Sequence, residues 1–353
     1  IPKGKVTSFI GPNGAGKSTV MGMISRLIAN DAGIIEFQGK SMHDWKSKEL
    51  AKHLAILTQS NNIQMKLTVE ELVAFGRFPH SGGRLTDKDK DIINKSIEYM
   101  ELNEFRNRFI MNRAMQVSKE TKGAFDITIY PVMELWGFTT KNYRVPESSE
   151  IADVLKHVSY TNVEVNGQQV TLSDGASIDL GGIAKGYTSS RVIQIMKDCG
   201  IEHAIINLGG NVQVLGTKTD GSDWRVAIQN PDSESSYLGV LSTADKAVIT
   251  SGGYERYFEQ DGHVYHHIID PQTGYPSESD LTSVTIVCSD GTTADALSTA
   301  LFVMGLDGAK ELYRSGSLDF EMILYDGIKV YVSEGIADSF STNMNTEIIT
   351  RQP

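Results

Sequence analysis

The segment Asp295-Ala-Leu-Ser-Thr299 has residue types and spacing suited to metal chemistry. Asp295 and Thr299 are four residues apart, so in a helix their carboxylate and hydroxyl project from the same face. These two hard oxygens, with the Ser298 hydroxyl as a candidate third, suit Mg²⁺. The structural alternative is that Asp295 caps or decorates the start of a helix while Thr299 packs against its neighbours. The residues alone leave both interpretations open.

A glycine-rich segment, Asp179-Leu-Gly-Gly-Ile-Ala-Lys-Gly186, precedes a helical pattern and is suited to holding phosphate groups. Because glycine has no side chain in the way, the backbone amides of Gly181 and Gly182 can approach a pyrophosphate closely at the start of a helix. Lys185 would offset the negative charge of such a ligand. A tight turn before a helix explains the same glycines equally well, so the pattern by itself indicates either structure.

A second glycine-rich segment lies near the beginning of the chain. Gly11-Pro-Asn-Gly-Ala-Gly-Lys17-Ser18 follows an apolar run that predicts a strand, and a helical pattern comes after it. This order is typical of a P-loop, in which successive amides face the phosphates of a nucleotide. In such a loop Gly14 and Gly16 belong to the phosphate cradle, Lys17 reaches the outer phosphates and Ser18 binds Mg²⁺. ATP is therefore a candidate ligand of this segment.

The first third of the chain, from Ile1 to about Phe109, resembles the ATP-binding subunit of an ABC importer, particularly the iron–siderophore type. The P-loop carries this resemblance together with the run Leu54-Ala-Ile-Leu-Thr-Gln59, whose Gln59 matches the Q-loop of that family. The L-S-G-G-Q signature, the Walker B strand and the switch histidine do not follow in the sequence. Hydrolysis of ATP requires a carboxylate that holds the metal and a group that orients the attacking water. We therefore expect a truncated α/β fragment with a vestigial nucleotide site and no ATPase activity.

The distribution of charge also separates the chain into two parts. Residues 1–109 contain 16 Lys and Arg against 12 Asp and Glu, whereas residues 110–353 contain 17 against 32. The net charge of −11 over 353 residues argues against a general nucleic-acid-binding surface. The change of sign coincides with the end of the ABC-type pattern, and no Gly-, Pro- or Ser-rich linker marks the position. This abrupt join predicts a fusion of two unrelated pieces, residues 1–109 and residues 110–353.

The patterns beyond residue 110 are those of an α+β domain. Asn-Gly and Asp-Gly turn signals predict three hairpins, at Asn166-Gly167, Asp261-Gly262 and Asp326-Gly327. Short apolar runs predict strands through much of this part, and two predicted helices, Thr293–Met304 and Asp307–Arg314, interrupt them. Strands in long succession with separate helices are typical of the α+β class.

Six segments of this second part occur in a fixed order that resembles the FAD:protein FMN transferase family, also called the ApbE type. The segments are Gly123-Ala-Phe-Asp126, Asp179–Gly186, Asn207-Leu-Gly-Gly-Asn211, Thr250–Arg256, His266-His-Ile-Ile-Asp-Pro-Gln-Thr-Gly-Tyr-Pro276 and Asp295–Ala300. Each segment is weak by itself, but the series covers about Ile110 to Ile349. The resemblance implies an ApbE-type fold and a Mg²⁺-dependent reaction. In that reaction FMN moves from FAD to a Thr or Ser hydroxyl of an acceptor protein, and AMP is released.

The resemblance also implies roles for individual residues. Catalysis would involve His267 and Asp270, which match the family pattern H-x-x-D-P-x-T-G. The residues implied for Mg²⁺ are Gly182, through its carbonyl, Asp295, Ser298 and Thr299. The residues implied for FAD, the substrate, are Ala124, Phe125, Asp126, Asp179, Lys185 and Ile269.

Other functions are also compatible with the sequence. The chain could be an ABC-type ATP-binding fragment without ATPase activity, a FAD pyrophosphatase in which water replaces the acceptor hydroxyl, or an inactive flavin-binding remnant of a fusion. The transferase family usually carries an N-terminal Met-Gly-Thr strand and an export signal or lipid-attachment Cys, and here the ABC-type segment stands in their place. No apolar run reaches membrane-spanning length. We therefore expect the chain as given to be cytoplasmic.

Overall fold

The computed structural model of the chain describes residues 16–30, 32–54, 77–81, 85–99, 108–166 and 169–351. The chain divides into two compact units, Ile1–Arg106 and Asn107–Pro353. Of the residues predicted to form the nucleotide site, Gly14 and Gln59 lie outside the described residues.

The described part of the first unit consists of helices and a pair of short strands. Helix α1 (Lys17–Ile24) begins directly after Gly16, whose φ of 80° is readily adopted by glycine and rarely by other residues. Strands β1 and β2 form an antiparallel pair. Thr86 and Asp89 cap the last described helix of this unit, because the N–H of each residue donates to the side chain of the other, at 3.0 and 3.2 Å. The bounds of the other elements are β1 (Glu36–Phe37), β2 (Lys40–Ser41), α2 (Ser47–Leu50), α3 (Phe78–Ser81) and α4 (Asp87–Tyr99).

The second unit combines helices and strands, which confirms the predicted α+β class. Its helices are α5 (Arg108–Glu120), α6 (Tyr130–Leu135), α7 (Ser148–Leu155), α8 (Ala184–Asp198) and α9 (Gly291–Ser315). Its strands are β3 (Val163–Asn166), β4 (Gln169–Leu172), β5 (Ala204–Leu208), β6 (Asn211–Leu215), β7 (Trp224–Asn230), β8 (Ser233–Thr243), β9 (Ala247–Ser251), β10 (Tyr257–Gln260), β11 (His263–His266), β12 (Ser283–Cys288), β13 (Glu321–Tyr325), β14 (Val330–Ser333), β15 (Phe340–Ser341) and β16 (Thr346–Ile349). The pairs β3–β4, β10–β11 and β13–β14 are the three predicted hairpins.

A seven-stranded sheet in the order β16-β14-β13-β12-β9-β6-β5 forms the centre of the second unit. Its neighbouring strands are antiparallel except for β14 and β16, which are parallel. Side chains of β13 alternate between two apolar clusters, since Met322 and Leu324 join residues of α5 and α9, whereas Ile323 and Tyr325 join residues of β7 and β8. Both faces of the sheet are therefore covered, which explains the continuous apolar sequences of its central strands.

Helix α9 carries the segment predicted to bind the metal. The Asp290 side chain caps its first turn by accepting the N–H of Thr292 at 3.0 Å. Gly305 has φ 70° and ψ −177°, which interrupts the helix, and the next amide, that of Leu306, donates to Asp280 Oδ1 at 2.9 Å. The break lies where the sequence predicts a gap between two helices, so Asp295 and Thr299 belong to the first half.

Candidate active site

A cavity of about 380 Å³ in the second unit is lined by residues that lie far apart in the sequence. Its wall comes from the turn around Phe125, the loop before α8, the end of β9, the segment after β11 and the first half of α9. Of the residues with a predicted role in FAD binding, metal binding or catalysis, those on the wall are Ala124, Phe125, Asp126, Asp179, Gly182, Lys185, His267, Ile269, Asp295 and Thr299. The fold thus brings five of the six sequence segments, those other than Asn207–Asn211, to one place.

The carboxylate of Asp295 lies at the start of α8 rather than at the start of its own helix. Ile183 precedes α8 and provides no side-chain cap, so the first amides of this helix need another acceptor. The N–H of Gly186 donates to Asp295 Oδ2 at 2.8 Å. Burial raises the pKa of Asp295, and the hydrogen bond from Gly186 and the charge of Lys185 oppose that shift. Asp295 therefore does cap a helix, as the structural alternative supposes, but a helix other than its own.

Thr299 and Gly182 lie close together on the cavity wall. A Cβ atom built on Gly182 would be 3.7 Å from Thr299 Oγ1 and 3.1 Å from Phe125 Cε2, so the loop before α8 packs tightly here. The Asp295 carboxylate, the Thr299 hydroxyl and the Gly182 backbone provide hard oxygen donors. Within the described residues, no group of three or more His, Cys, Asp or Glu gathers to hold a metal. This donor set fits Mg²⁺, which often takes one or two carboxylates together with phosphate oxygens of a substrate.

Ser298 is fully buried and does not line the cavity. Its hydroxyl donates to the carbonyl oxygen of Asp295 at 2.8 Å, and Ser251 Oγ lies 2.8 Å away. Because the one proton of Ser298 goes to Asp295, Ser251 must be the donor in the second hydrogen bond. Ser298 therefore lies behind the cavity wall, where its hydrogen bonds support α9, and its predicted role in metal binding stays a prediction.

Two further carboxylates on the wall shape the backbone around the cavity. Asp126 accepts hydrogen bonds from the N–H and hydroxyl of Thr128, at 2.8 and 2.6 Å, and from the N–H of Tyr160 at 2.6 Å. Burial raises the pKa of Asp126, and these hydrogen bonds oppose the shift. Asp179 accepts the N–H of Gly181 at 2.6 Å, which fixes the glycine turn before α8. Both side chains therefore position the loops that would meet a ligand.

His267 presents a neutral imidazole to the cavity. Its backbone N–H and its Nδ1 both lie close to the carbonyl oxygen of Arg256, at 3.0 and 3.1 Å. Burial lowers the pKa of His267 to about 4, a shift that the hydrogen bond to Arg256 opposes and the Arg256 charge reinforces. In the neutral ring Nδ1–H donates to that carbonyl, so the lone pair is on Nε2. Nε2 has no hydrogen-bond partner within the described part of the chain, so it can accept a proton from a ligand.

Asp270, by contrast, does not line the cavity. Its Oδ1 accepts the N–H of Gln272 at 2.9 Å, and its own N–H donates to the carbonyl oxygen of Tyr275 at 2.9 Å. These contacts close the turn that follows His267. Asp270 thus follows His267 by three residues without lining the cavity, and its predicted catalytic role stays a prediction.

Comparison with known proteins agrees with this geometry. Residues 93–324 match the model of the ApbE family, and residues 1–130 match that of the ABC transporter family, so the two matches overlap. The FAD:protein FMN transferase of Treponema pallidum is 32% identical over 246 residues, which are 65% of this chain and 68% of the relative. That of Escherichia coli strain K12 is 33% identical over 246 residues, 67% of each chain. The chain belongs to the ApbE family.

Solved structures of ApbE proteins show the same fold. The ApbE protein of Thermotoga maritima has a TM-score of 0.57 and 39% identity, covering 66% of this chain and 74% of that chain. The flavin transferase ApbE from Vibrio cholerae has a TM-score of 0.58 and 31% identity, covering 65% of this chain and 75% of that chain. The family, the enzyme class and the ABC-type similarity of the first part, all predicted from the sequence, are confirmed.

Glu255 and Arg256 line the cavity of this ApbE domain, although the sequence analysis gave neither a role. Burial raises the pKa of Glu255, an effect that Lys185 opposes and Asp295 strengthens. The wall therefore carries both signs of charge, with Lys185 and Arg256 on the same cavity as the side chains of Glu255 and Asp295. The sequence contains a signal for this placement, because Glu255 and Arg256 are adjacent at the end of Thr250–Arg256, which is one of the six segments.

The predicted nucleotide residues of the first unit are only partly described. Gly16 is the residue before α1, Lys17 is the first residue of that helix, and Ser18 follows within it.

Among the described helices, none is long and apolar enough to cross a membrane.

Proposed function

We propose that this ApbE-family chain transfers FMN from FAD to a Thr or Ser hydroxyl of an acceptor protein, requires Mg²⁺ and releases AMP. The observation that supports this most directly is the placement of Asp295, Thr299, Lys185 and a neutral His267 on one cavity wall. Pyrophosphate chemistry needs positive charge near the phosphates and an acceptor for the hydroxyl proton. Both kinds of group are present in this cavity.

In this proposal Asp295, Thr299 and the carbonyl of Gly182 hold Mg²⁺. When bound, the metal would offset the negative charge that develops on the pyrophosphate. Lys185, in the first turn of α8, adds a positive charge on the same wall, and the amides of the glycine turn approach the phosphates. Ser298 is left out of this set because its hydrogen bonds are made behind the wall.

The acceptor hydroxyl oxygen forms a bond to the phosphorus of the FMN half of FAD. The bond from this phosphorus to the bridging oxygen breaks, and AMP leaves with that oxygen. Nε2 of His267 accepts the hydroxyl proton, while the Arg256 carbonyl holds the ring in the tautomer that leaves Nε2 unprotonated. The apolar part of the cavity, which includes Phe125 and Ile269, would contact the flavin ring, next to Ala124 and the two loop-shaping carboxylates.

We further propose that residues 1–109 are an ABC-type segment joined to the transferase body at about residue 110. Gly14, Gly16, Lys17, Ser18 and Gln59 would form a vestigial ATP site. The missing Walker B carboxylates support an absence of hydrolysis, because nothing in the ABC pattern then holds the metal or orients the water.

The proposal is tested by incubating the chain with FAD, Mg²⁺ and an acceptor protein that carries a reactive Thr. We expect flavin fluorescence on the acceptor that survives denaturing electrophoresis, one AMP for each flavin attached, and loss of both products in excess EDTA. Release of free FMN and AMP without labelled acceptor would instead identify a FAD pyrophosphatase. Bound FAD without any product would identify a flavin-binding remnant, and either result would refute the transferase proposal.

A further inference from the structure

The starts of α8 and α9 touch through two glycines. A Cβ atom on Gly186 would collide with the carbonyl oxygen of Gly291 and would lie 2.6 Å from Asp295 Cβ. A Cβ atom on Gly291 would lie 2.8 Å from the carbonyl oxygen of Gly186. The backbones are therefore in direct contact, and this close approach allows Asp295 on α9 to reach the Gly186 amide on α8. Any loosening of the contact would move the carboxylate away from α8.

A hydroxyl on α8 holds this contact from the other side. Ser190 Oγ accepts the N–H of Gly291 at 2.8 Å and donates to Gln213 Oε1 at 3.2 Å. Gly291 is the first residue of α9, so its amide has no acceptor within its own helix. Gln213 is buried on β6, in the central sheet. One hydroxyl of α8 thus links the start of α9 to the sheet beneath it.

We propose that Ser190 and Gln213 are positioning residues for Asp295. They fix the first turn of α9 at the distance from α8 at which the Asp295 carboxylate both caps α8 and faces the cavity. Neither residue lines the cavity, so neither meets a ligand directly. This inference rests on the proposed role of Asp295 as a Mg²⁺ ligand. Residues that orient metal ligands typically change metal affinity 10–100-fold when they are mutated, and Ser190 belongs to this class.

The test uses the full chain and Mn²⁺ as a paramagnetic stand-in for Mg²⁺. Ser190→Ala removes the acceptor of the Gly291 amide, and we expect it to weaken Mn²⁺ binding about tenfold, measured by the EPR signal of free Mn²⁺. The Mg²⁺ concentration for half-maximal FMN transfer should rise by a similar factor, whereas the KM for FAD should stay near the wild-type value. Ser190→Thr keeps the hydroxyl and should restore most of the Mn²⁺ affinity.

Ser333→Ala provides a matched control. Ser333 is fully buried between β13 and β14, accepts the N–H of Met322 at 2.8 Å and donates to its carbonyl oxygen at 3.3 Å. Its loss therefore removes the same kinds of hydrogen bond as Ser190→Ala, away from the cavity wall. We expect both Ser333→Ala and Ser190→Ala to lower the Tm, and Ser333→Ala to leave Mn²⁺ affinity unchanged.

Asp295→Asn separates failure of this inference from failure of the metal assignment. If Asp295→Asn loses Mn²⁺ while Ser190→Ala binds it like wild type, the positioning proposal is wrong and the metal assignment is supported. If Asp295→Asn binds Mn²⁺ as tightly as wild type, the metal assignment is wrong and the positioning proposal is overturned with it.

Discussion

Two glycine-rich segments of the sequence precede a helix and contain a lysine, and within the described residues the two helix starts differ in the acceptors they meet. Helix α1 begins after Gly16 with no side-chain cap and no acidic residue in its first turn. Helix α8 also lacks a cap of its own, but the carboxylate of Asp295 comes from α9 to accept one of its first amides. A glycine-rich pattern thus specifies a helix start that is suited to binding anions. A catalytic site needs, in addition, a group that a distant segment supplies.

The largest expected effect on the rate of FMN transfer comes from replacing Asp295, whose carboxylate meets the start of α8. Asp295→Asn keeps an oxygen able to accept the Gly186 N–H but removes the charge that would hold Mg²⁺. We expect FMN transfer to fall more than about 1000-fold, which corresponds to about 4 kcal/mol of transition-state stabilisation. The measurement is the initial rate of covalent flavin labelling of the acceptor.

Asp270→Asn is the comparison for this prediction and also tests the predicted catalytic role of Asp270, whose carboxylate accepts the Gln272 N–H and does not line the cavity. It should keep most of the transfer rate. Equal transfer rates in Asp295→Asn and wild type, or full labelling of the acceptor in EDTA, would contradict the proposed role of Asp295 in holding Mg²⁺.

Replacing His267 should produce the next largest effect. His267→Ala removes the base and is expected to slow transfer about 100-fold, with a much smaller change in FAD affinity. Since the pKa of His267 is about 4, the ring stays neutral and able to accept a proton above pH 5. The wild-type rate should therefore not fall through loss of this base between pH 8 and pH 6. His263→Ala, an exposed position on β11, is the control, and an equal loss in both variants would argue against base catalysis by His267.

The same histidine predicts a pH dependence of stability. An unfolded His titrates near pH 6.5, whereas His267 in the folded chain has a pKa of about 4. Between these two pKa values the unfolded state binds more protons than the folded state, so the free energy of unfolding rises with pH in this window. The stability that the neutral His267 contributes is therefore lost as the pH falls from 6.5 to 4. His267→Gln should remove a pH-dependent difference on the order of 2 kcal/mol. This difference is measured by urea unfolding of the wild type and the variant at pH 7 and pH 4.5. An equal loss of unfolding free energy in both proteins at pH 4.5 would contradict the low pKa of His267.

The smallest expected effects are those of replacing the lysine of each glycine-rich segment, Lys185 and Lys17. Lys185→Ala removes a positive charge from the cavity wall and should slow FMN transfer about tenfold, the equivalent of one hydrogen bond to a charged group. Lys17→Ala should leave FMN transfer unchanged, and neither wild type nor this variant should hydrolyse ATP. ATPase activity that disappears in Lys17→Ala would show that the first loop is catalytic after all.

The features predicted correctly from the sequence are local. Asn-Gly and Asp-Gly pairs select the turns that join β3–β4, β10–β11 and β13–β14, because few residues adopt the backbone angles these turns need. The four-residue spacing of Asp295 and Thr299 fixes their common helix face. Strand β8 begins with a serine-rich stretch, Ser233-Glu-Ser-Ser236, which by itself is typical of a loop. Its pairing with β7, in which Trp224 faces Thr243, makes it a strand.

The family, the order of its motifs and the residue types available for chemistry can be predicted from the sequence alone, since these are properties of short segments. Which residues act together depends on the folded chain. It placed Asp295 against an amide 109 residues away, put Ser298 behind the wall, gave Asp270 to a turn, and brought Glu255 to the cavity. The physical reason is that hydrogen-bond partners and burial depend on contacts between distant segments. The same carboxylate or hydroxyl is therefore a ligand, a cap or a support according to what packs against it.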